Sequence, residues 1–86
     1  MKTIFLLMAE FDGRAAVDLF EIGPKYLGIT EKTKLSFKAR NGQLPFPAFK
    51  ADKSQKAPWL VSLEDLAQHL DHQKNLAKQD WQQMQG

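Results

Sequence analysis

The chain contains no cysteine, so neither disulfide bonds nor a cysteine-ligated zinc ion can stabilise it. It also has no long hydrophobic run. The longest near the N-terminus is the six apolar residues 4–9, whereas a membrane-spanning helix needs roughly 20 and a secretory signal at least about seven. These absences lead us to expect a cytoplasmic protein that has no membrane partner and is stabilised by packing.

Sequence signatures of catalysis are equally scarce. There is no glycine-rich phosphate loop, no strained serine turn and no cysteine nucleophile. His69 and His72 are spaced to share a helix face near Asp65 and Asp71, which is compatible with a metal site, but no further ligand cluster accompanies them. We interpret both histidines as solvated helix side chains and predict a protein without enzymatic activity, bound metal or cofactor.

The charge is distributed unevenly along this 86-residue chain, which is long enough for a single domain, 1–86. Residues 25–56 hold eight basic and two acidic side chains, a net charge of +6, while the remainder carries −4. A basic middle between acidic flanks indicates a surface that faces phosphate groups. The alternative is a chance run of lysines on a solvated face.

The first predicted element covers residues 3–11. Its apolar run is rich in leucine, methionine and alanine, follows Thr3 as a candidate N-cap and stops at Asp12-Gly13, so we predict a helix. The alternative is a strand, because Asp12-Gly13 also suits a tight turn into a second strand over 15–17.

A helix-turn-helix pattern is predicted over residues 19–41. Asp18 and Glu21 have the spacing of a capping box, and Gly28 suits a left-handed helix end, although Pro24 interrupts the segment between them. Thr30 is the expected N-cap of the second helix, over 31–41, and Gly42 its stop.

The second helix is predicted to turn Leu35 inward, with Ala39 beside it. Its outward residues are Thr33, Lys34, Phe37, Arg40 and Asn41. Phe37 has two interpretations: it either contacts a thymine methyl group or a base step, or packs against the N-terminal segment. We favour packing.

A β-hairpin is predicted over residues 46–61, because Pro45 and Pro47 exclude helix. Its strands are expected over 48–51 and 57–61, around a polar loop. The aromatic side chains of Phe46, Phe49 and Trp59 should join it to the core.

The last helix is predicted over 63–84, opened by Ser62 with Asp65 three residues later. Its apolar stripe comprises Leu63, Leu66, Leu70, Ala77, Trp81 and Met84. Because the stripe weakens after Leu70, the second half is either an exposed extension or a dimer seam.

The order of these elements predicts a mainly α-helical fold with a small β-hairpin: a winged helix-turn-helix with an extra N-terminal helix and a long C-terminal helix. Such a protein binds double-stranded DNA with its second helix in the major groove and its wing along the backbone. The candidate DNA-binding residues are Lys32, Thr33, Lys34, Ser36, Lys38, Arg40, Lys50, Lys53, Gln55 and Lys56. Because one small domain covers one half-site, a homodimer or a cooperative assembly on DNA is expected.

Four segments also carry a family resemblance: TIFLLMAEFDGRAAV, GQLPFPAFK, SQKAPWLV and LEDLAQHLDHQ. They resemble the pyocin activator protein family of phage and bacteriocin-cluster regulators, and more loosely the middle of the chain resembles excisionase and MerR-type winged helices. The resemblance implies an activator of phage-like or bacteriocin genes, with RNA polymerase as a possible partner.

The chain departs from this family at one point. The family's second helix usually carries two adjacent basic residues, where this chain has Ser36-Phe37, so Lys34, Lys38 and Arg40 are expected to replace them. Two alternative functions are an excisionase-like factor that bends DNA and a protein-interaction adaptor that presents Phe37 and the last helix, from Leu66 to Trp81.

Overall fold

A computed structural model describes residues 2–85 of the chain. They form four α-helices and one three-stranded antiparallel sheet. In chain order the elements are α1 (Thr3–Glu10), β1 (Ala16–Asp18), α2 (Leu19–Ile22), α3 (Lys32–Arg40), β2 (Phe49–Lys50), β3 (Trp59–Ser62) and α4 (Leu63–Gln85). The mainly helical class is therefore confirmed.

Helix α1 occupies the segment for which a strand was the alternative, so the helix prediction is confirmed. Its N-cap position is Lys2, and Thr3 lies inside the helix, so the predicted cap is wrong. The Thr3 hydroxyl donates instead to Asp71 Oδ1 of α4, at 2.5 Å. This bond and the buried side chain of Leu7 hold α1 against α4.

The sheet has one more strand than the predicted hairpin. Its strand order is β1-β3-β2, with β3 in the centre. Strand β1 pairs with β3 so that Val17 faces Val61, and both side chains are buried. A three-residue strand is too short to show the alternation that reveals strands in a sequence, and its stability depends on a partner more than 40 residues away in the chain.

Helix α2 begins as predicted, because the Asp18 side chain accepts a hydrogen bond from the backbone N–H of Phe20 at 2.8 Å. The Glu21 carboxylate does not complete a capping box but pairs with Arg14 at 3.2 Å. The chain then continues through one π-helical turn, Gly23–Leu27, with Pro24 at its start. There the missing N–H of proline costs little, and Gly28 ends the turn with a φ of 71°.

The core collects one to three side chains from each α-helix and one each from β1 and β3, but none from β2. Its buried members are Leu7, Phe11, Val17, Leu19, Ile22, Leu35, Phe46, Val61, Leu63, Leu66 and Ala67. The π-helical turn approaches α3 closely, since a Cβ built on Gly23 would lie 2.5 Å from Leu35 Cδ1. Glycine at this position therefore sets the distance between the two helical segments.

Helix α4 starts on Ser62, whose Oγ accepts hydrogen bonds from the N–H groups of Glu64 and Asp65, at 3.1 and 3.4 Å. Leu63, Leu66 and Ala67 enter the core, whereas from Asp71 to Gln85 every residue is exposed. Leu66 is fully buried, so the adaptor surface proposed from Leu66 onwards is wrong at its first residue. No helix within residues 2–85 is long and apolar enough to cross a membrane.

Candidate nucleic-acid interface

Helix α3 is oriented by a single buried side chain. Leu35 is completely buried, as predicted, and Ala39 packs beside the core. The helix is one residue shorter at each end than predicted, with Glu31 rather than Thr30 at the N-cap. Gly42 then reverses the chain with a φ of 64°, as expected for a helix stop, and the Gln43 N–H donates to the Lys38 carbonyl at 2.9 Å.

The outward side of α3 carries Thr33, Lys34 and Arg40, which are all exposed. Phe37 lies among them with 53% of its surface exposed. The prediction that Phe37 packs against the N-terminal segment is therefore wrong. A helix with one buried leucine leaves the aromatic ring two residues later on the far side.

Three other basic residues of the 25–56 segment are less available, two because they have intramolecular partners and one because it is half-buried. Lys25 pairs with Glu10, so its charge is compensated within the protein. The Lys32 ammonium lies 5.7 Å from the centre of the Phe20 ring, and Lys38 is half-buried at the side of α3. The outward basic charge of α3 is thus concentrated on Lys34 and Arg40.

The hairpin of β2 and β3 confirms the predicted pairing, with Phe49 opposite Leu60 and Lys50 opposite Trp59. Lys50 belongs to strand β2 and does not lie at the tip. Its ammonium donates to the Gln55 carbonyl at 3.2 Å and lies 5.5 Å from the centre of the Trp59 ring. Lys50 therefore closes the loop at its base.

The loop tip presents Lys53, Gln55 and Lys56 to solvent. Its backbone is ordered by short-range hydrogen bonds: the Lys53 N–H donates to Asp52 Oδ1 at 2.6 Å, and the Lys56 N–H donates to Ser54 Oγ at 3.2 Å. Both bonds use backbone N–H groups, and the two lysine side chains stay exposed.

Helix α3 and the hairpin border one open cleft of about 380 Å³. Its lining residues are Ser36, Arg40, Lys50, Gln55 and Trp59. The first four were predicted as binding residues, two from α3 and two from the hairpin. Trp59 was assigned to the core and not to the binding surface; it is half-buried and forms part of the cleft wall.

The hairpin aromatics do not share one environment. Phe46 is 6% exposed and packs edge-on against His69, with 5.5 Å between ring centres. Phe49 is 46% exposed, so its assignment to the core is wrong. Phe49 faces away from its half-buried neighbours Ala48 and Lys50, because successive residues of a strand alternate between faces.

The two histidines of α4 differ as well. His69 is half-buried against Phe46, whereas His72 is exposed. Across residues 2–85, no three His, Cys, Asp or Glu side chains are grouped so that they could hold a metal ion.

Glu10, Lys25 and Tyr26 form a polar cluster that joins α1 to the π-helical turn. The Glu10 carboxylate accepts hydrogen bonds from Lys25 and from the Tyr26 hydroxyl. The bond from Lys25, followed by that from Tyr26, lowers the pKa of Glu10. Burial, reinforced by the bond to Glu10 and its negative charge, raises the pKa of Tyr26 to about 12.

This cluster predicts alkaline behaviour that is easily measured, since Tyr26 is the only tyrosine of the chain. We expect its tyrosinate absorbance to rise near pH 12 in the folded protein and near pH 10 in urea. A raised folded-state pKa stabilises the fold below pH 10, and this contribution declines as the pH rises towards 12. In a Glu10→Gln variant the pKa of Tyr26 should fall but stay above 10, because the ring of Tyr26 remains as buried as before. A folded-state midpoint near 10 in the unmodified protein would contradict the cluster.

The fold and this surface together define a small helical protein that presents a basic helix and a lysine-tipped hairpin on either side of one cleft. The chain belongs to the pyocin activator protein PrtN family, whose model matches residues 3–77. This is a family of transcriptional activators, a regulatory class rather than an enzyme class. The resemblance carried by the four sequence segments is thereby confirmed. Comparison with curated proteins and with solved structures gave no match.

Proposed function

We propose that this protein activates transcription of phage-like or bacteriocin genes by binding double-stranded DNA as a winged helix-turn-helix. The observation that carries the proposal is the cleft in which Ser36 and Arg40 of α3 meet Lys50 and Gln55 of the hairpin. Two segments separated by a proline-containing turn thus contribute polar and basic groups to one surface, as recognition of a duplex requires.

Each part of the surface has a distinct role in this proposal. Helix α3 enters the major groove, where the exposed side chains of Thr33, Lys34 and Arg40 reach base edges and phosphates. The hairpin tip lies along the neighbouring backbone, where Lys53 and Lys56 neutralise phosphates without reading sequence. The positive electrostatic potential of this surface also includes contributions from Lys32, Lys38 and Lys50. The ammonium groups of Lys32 and Lys50 are positioned by their cation–π contacts.

Self-association is part of the same proposal. The distal half of α4 exposes Trp81 and Met84 on one stripe, with 58% and 77% of their surfaces accessible. One recognition helix reads only one half-site, so a second copy paired along this stripe, or bound beside the first on DNA, doubles the contact. RNA polymerase is the further partner that an activator requires.

The proposal is tested by selecting genomic fragments that the purified protein binds at two salt concentrations. We expect enrichment of promoter-proximal fragments and an affinity that falls steeply with salt, because each phosphate contact releases counterions. Several adjacent sites within a recombination region would instead favour the excisionase-like alternative. The absence of any salt-dependent DNA binding would contradict both and favour the adaptor.

A further inference from the structure

Phe37 is the large apolar side chain on the exposed basic face of α3. It leaves 53% of its surface in water on the face of α3 that also carries Lys34 and Arg40. Exposed apolar surface is unfavourable in the free protein and becomes favourable when a partner covers it with an apolar group. A ligand of this basic face that covers the ring with an apolar group therefore gains affinity.

The geometry of the helix places Phe37 on the side of α3 that faces away from the core. At about 100° per residue, Thr33, Phe37 and Arg40 all lie within roughly 40° of the direction opposite the buried Leu35. Lys34 and Ser36 lie at the sides, about 100° from Leu35. In a helix docked in the major groove, the outermost side chains meet base edges and the lateral ones meet the phosphates.

We infer that Phe37 reads a thymine through its 5-methyl group, next to a guanine that Arg40 binds. The thymine methyl is the apolar group that the major groove offers, and the guanine edge presents the two acceptors that suit a guanidinium. Phe37 and Arg40 are three residues apart, about 4.5 Å along the helix, which is close to the 3.4 Å spacing of base pairs. The two bases therefore belong to neighbouring pairs. This inference rests on the proposed function.

The test replaces each thymine of a selected duplex, one at a time, with deoxyuridine, which pairs identically but lacks the methyl group. For the unmodified protein we expect one position beside a guanine to lose affinity about fourfold, the equivalent of one buried methyl group. For Phe37→Ala, the thymine and uracil duplexes should bind equally. Phe5→Ala, which removes an equally exposed phenylalanine from α1, should retain the fourfold sensitivity to uracil.

Two results would overturn the inference. The first is an unmodified protein that is insensitive to uracil at every position. The second is a Phe37→Ala variant that retains the full sensitivity. If that variant also binds the thymine and uracil duplexes more weakly by the same factor, the ring stacks at a base step instead. Failure of the unmodified protein to bind any duplex would instead overturn the proposed function itself.

Discussion

Replacing Leu35 with alanine is expected to lower the free energy of unfolding by about 2–5 kcal/mol, the range seen when a buried leucine is truncated. Leu35 is fully buried and packs on Gly23, which leaves no space for a Cβ between the π-helical turn and α3. Its truncation opens a cavity at the junction of the two helical segments. Urea denaturation followed by circular dichroism measures the change.

Two further variants make this prediction specific. Phe37→Ala removes an equally apolar side chain from the same helix, but because Phe37 is exposed the change should stay within about 0.5 kcal/mol. Gly23→Ala alone should destabilise by about 1–3 kcal/mol through overpacking. Combined with Leu35→Ala, it should cost less than the sum, because the new methyl group fills part of the cavity. Strict additivity would show that the two residues are not in contact.

Replacing Lys34 and Arg40 together with alanine is expected to weaken duplex binding by about 3 kcal/mol, or more than a hundredfold. Both side chains are exposed on the outward side of α3, and Arg40 also lines the cleft with the hairpin. The slope of log affinity against log salt should become shallower by about one to two units, because up to two phosphate contacts are lost. Fluorescence anisotropy across a salt series measures both quantities.

Charge-matched variants separate position from net charge. Lys74→Ala with Lys78→Ala removes the same charge from the exposed distal half of α4 and should change affinity far less. Lys53→Ala with Lys56→Ala, at the hairpin tip, should weaken binding to all duplexes by a similar factor, whereas the α3 variant should lose discrimination between them. If the α3 variant kept its affinity and salt slope, the assignment of α3 as the recognition helix would be wrong.

Much of the local structure follows from short-range patterns. Asp18 and Ser62 cap helices because their side chains reach backbone N–H groups two or three residues away. Gly28 and Gly42 adopt the left-handed conformations that end helical segments. These interactions involve neighbours in the chain, so residue type and spacing suffice to predict them. The distribution of charge and the family motifs are also properties of the sequence itself, so the basic 25–56 segment and the family resemblance could be recognised without the structure.

The tertiary structure alone decided the environment of particular side chains. Strand β1 forms because its backbone pairs with β3, which lies more than 40 residues later in the chain. Phe49 is exposed while Phe46 is buried, although the two phenylalanines are three residues apart in the predicted hairpin. Lys50 closes the hairpin loop because Trp59 and the Gln55 carbonyl lie within its reach.

The sequence by itself thus determined the presence of the helices, the starts of α2 and α4, the hairpin and the basic character of one segment, since each depends on residues close together in the chain. Which aromatic rings enter the core, and which lysines stay available for a ligand, depends on contacts between distant segments. Such contacts arise only when the chain has packed, because burial and cation–π partners are properties of neighbours in space.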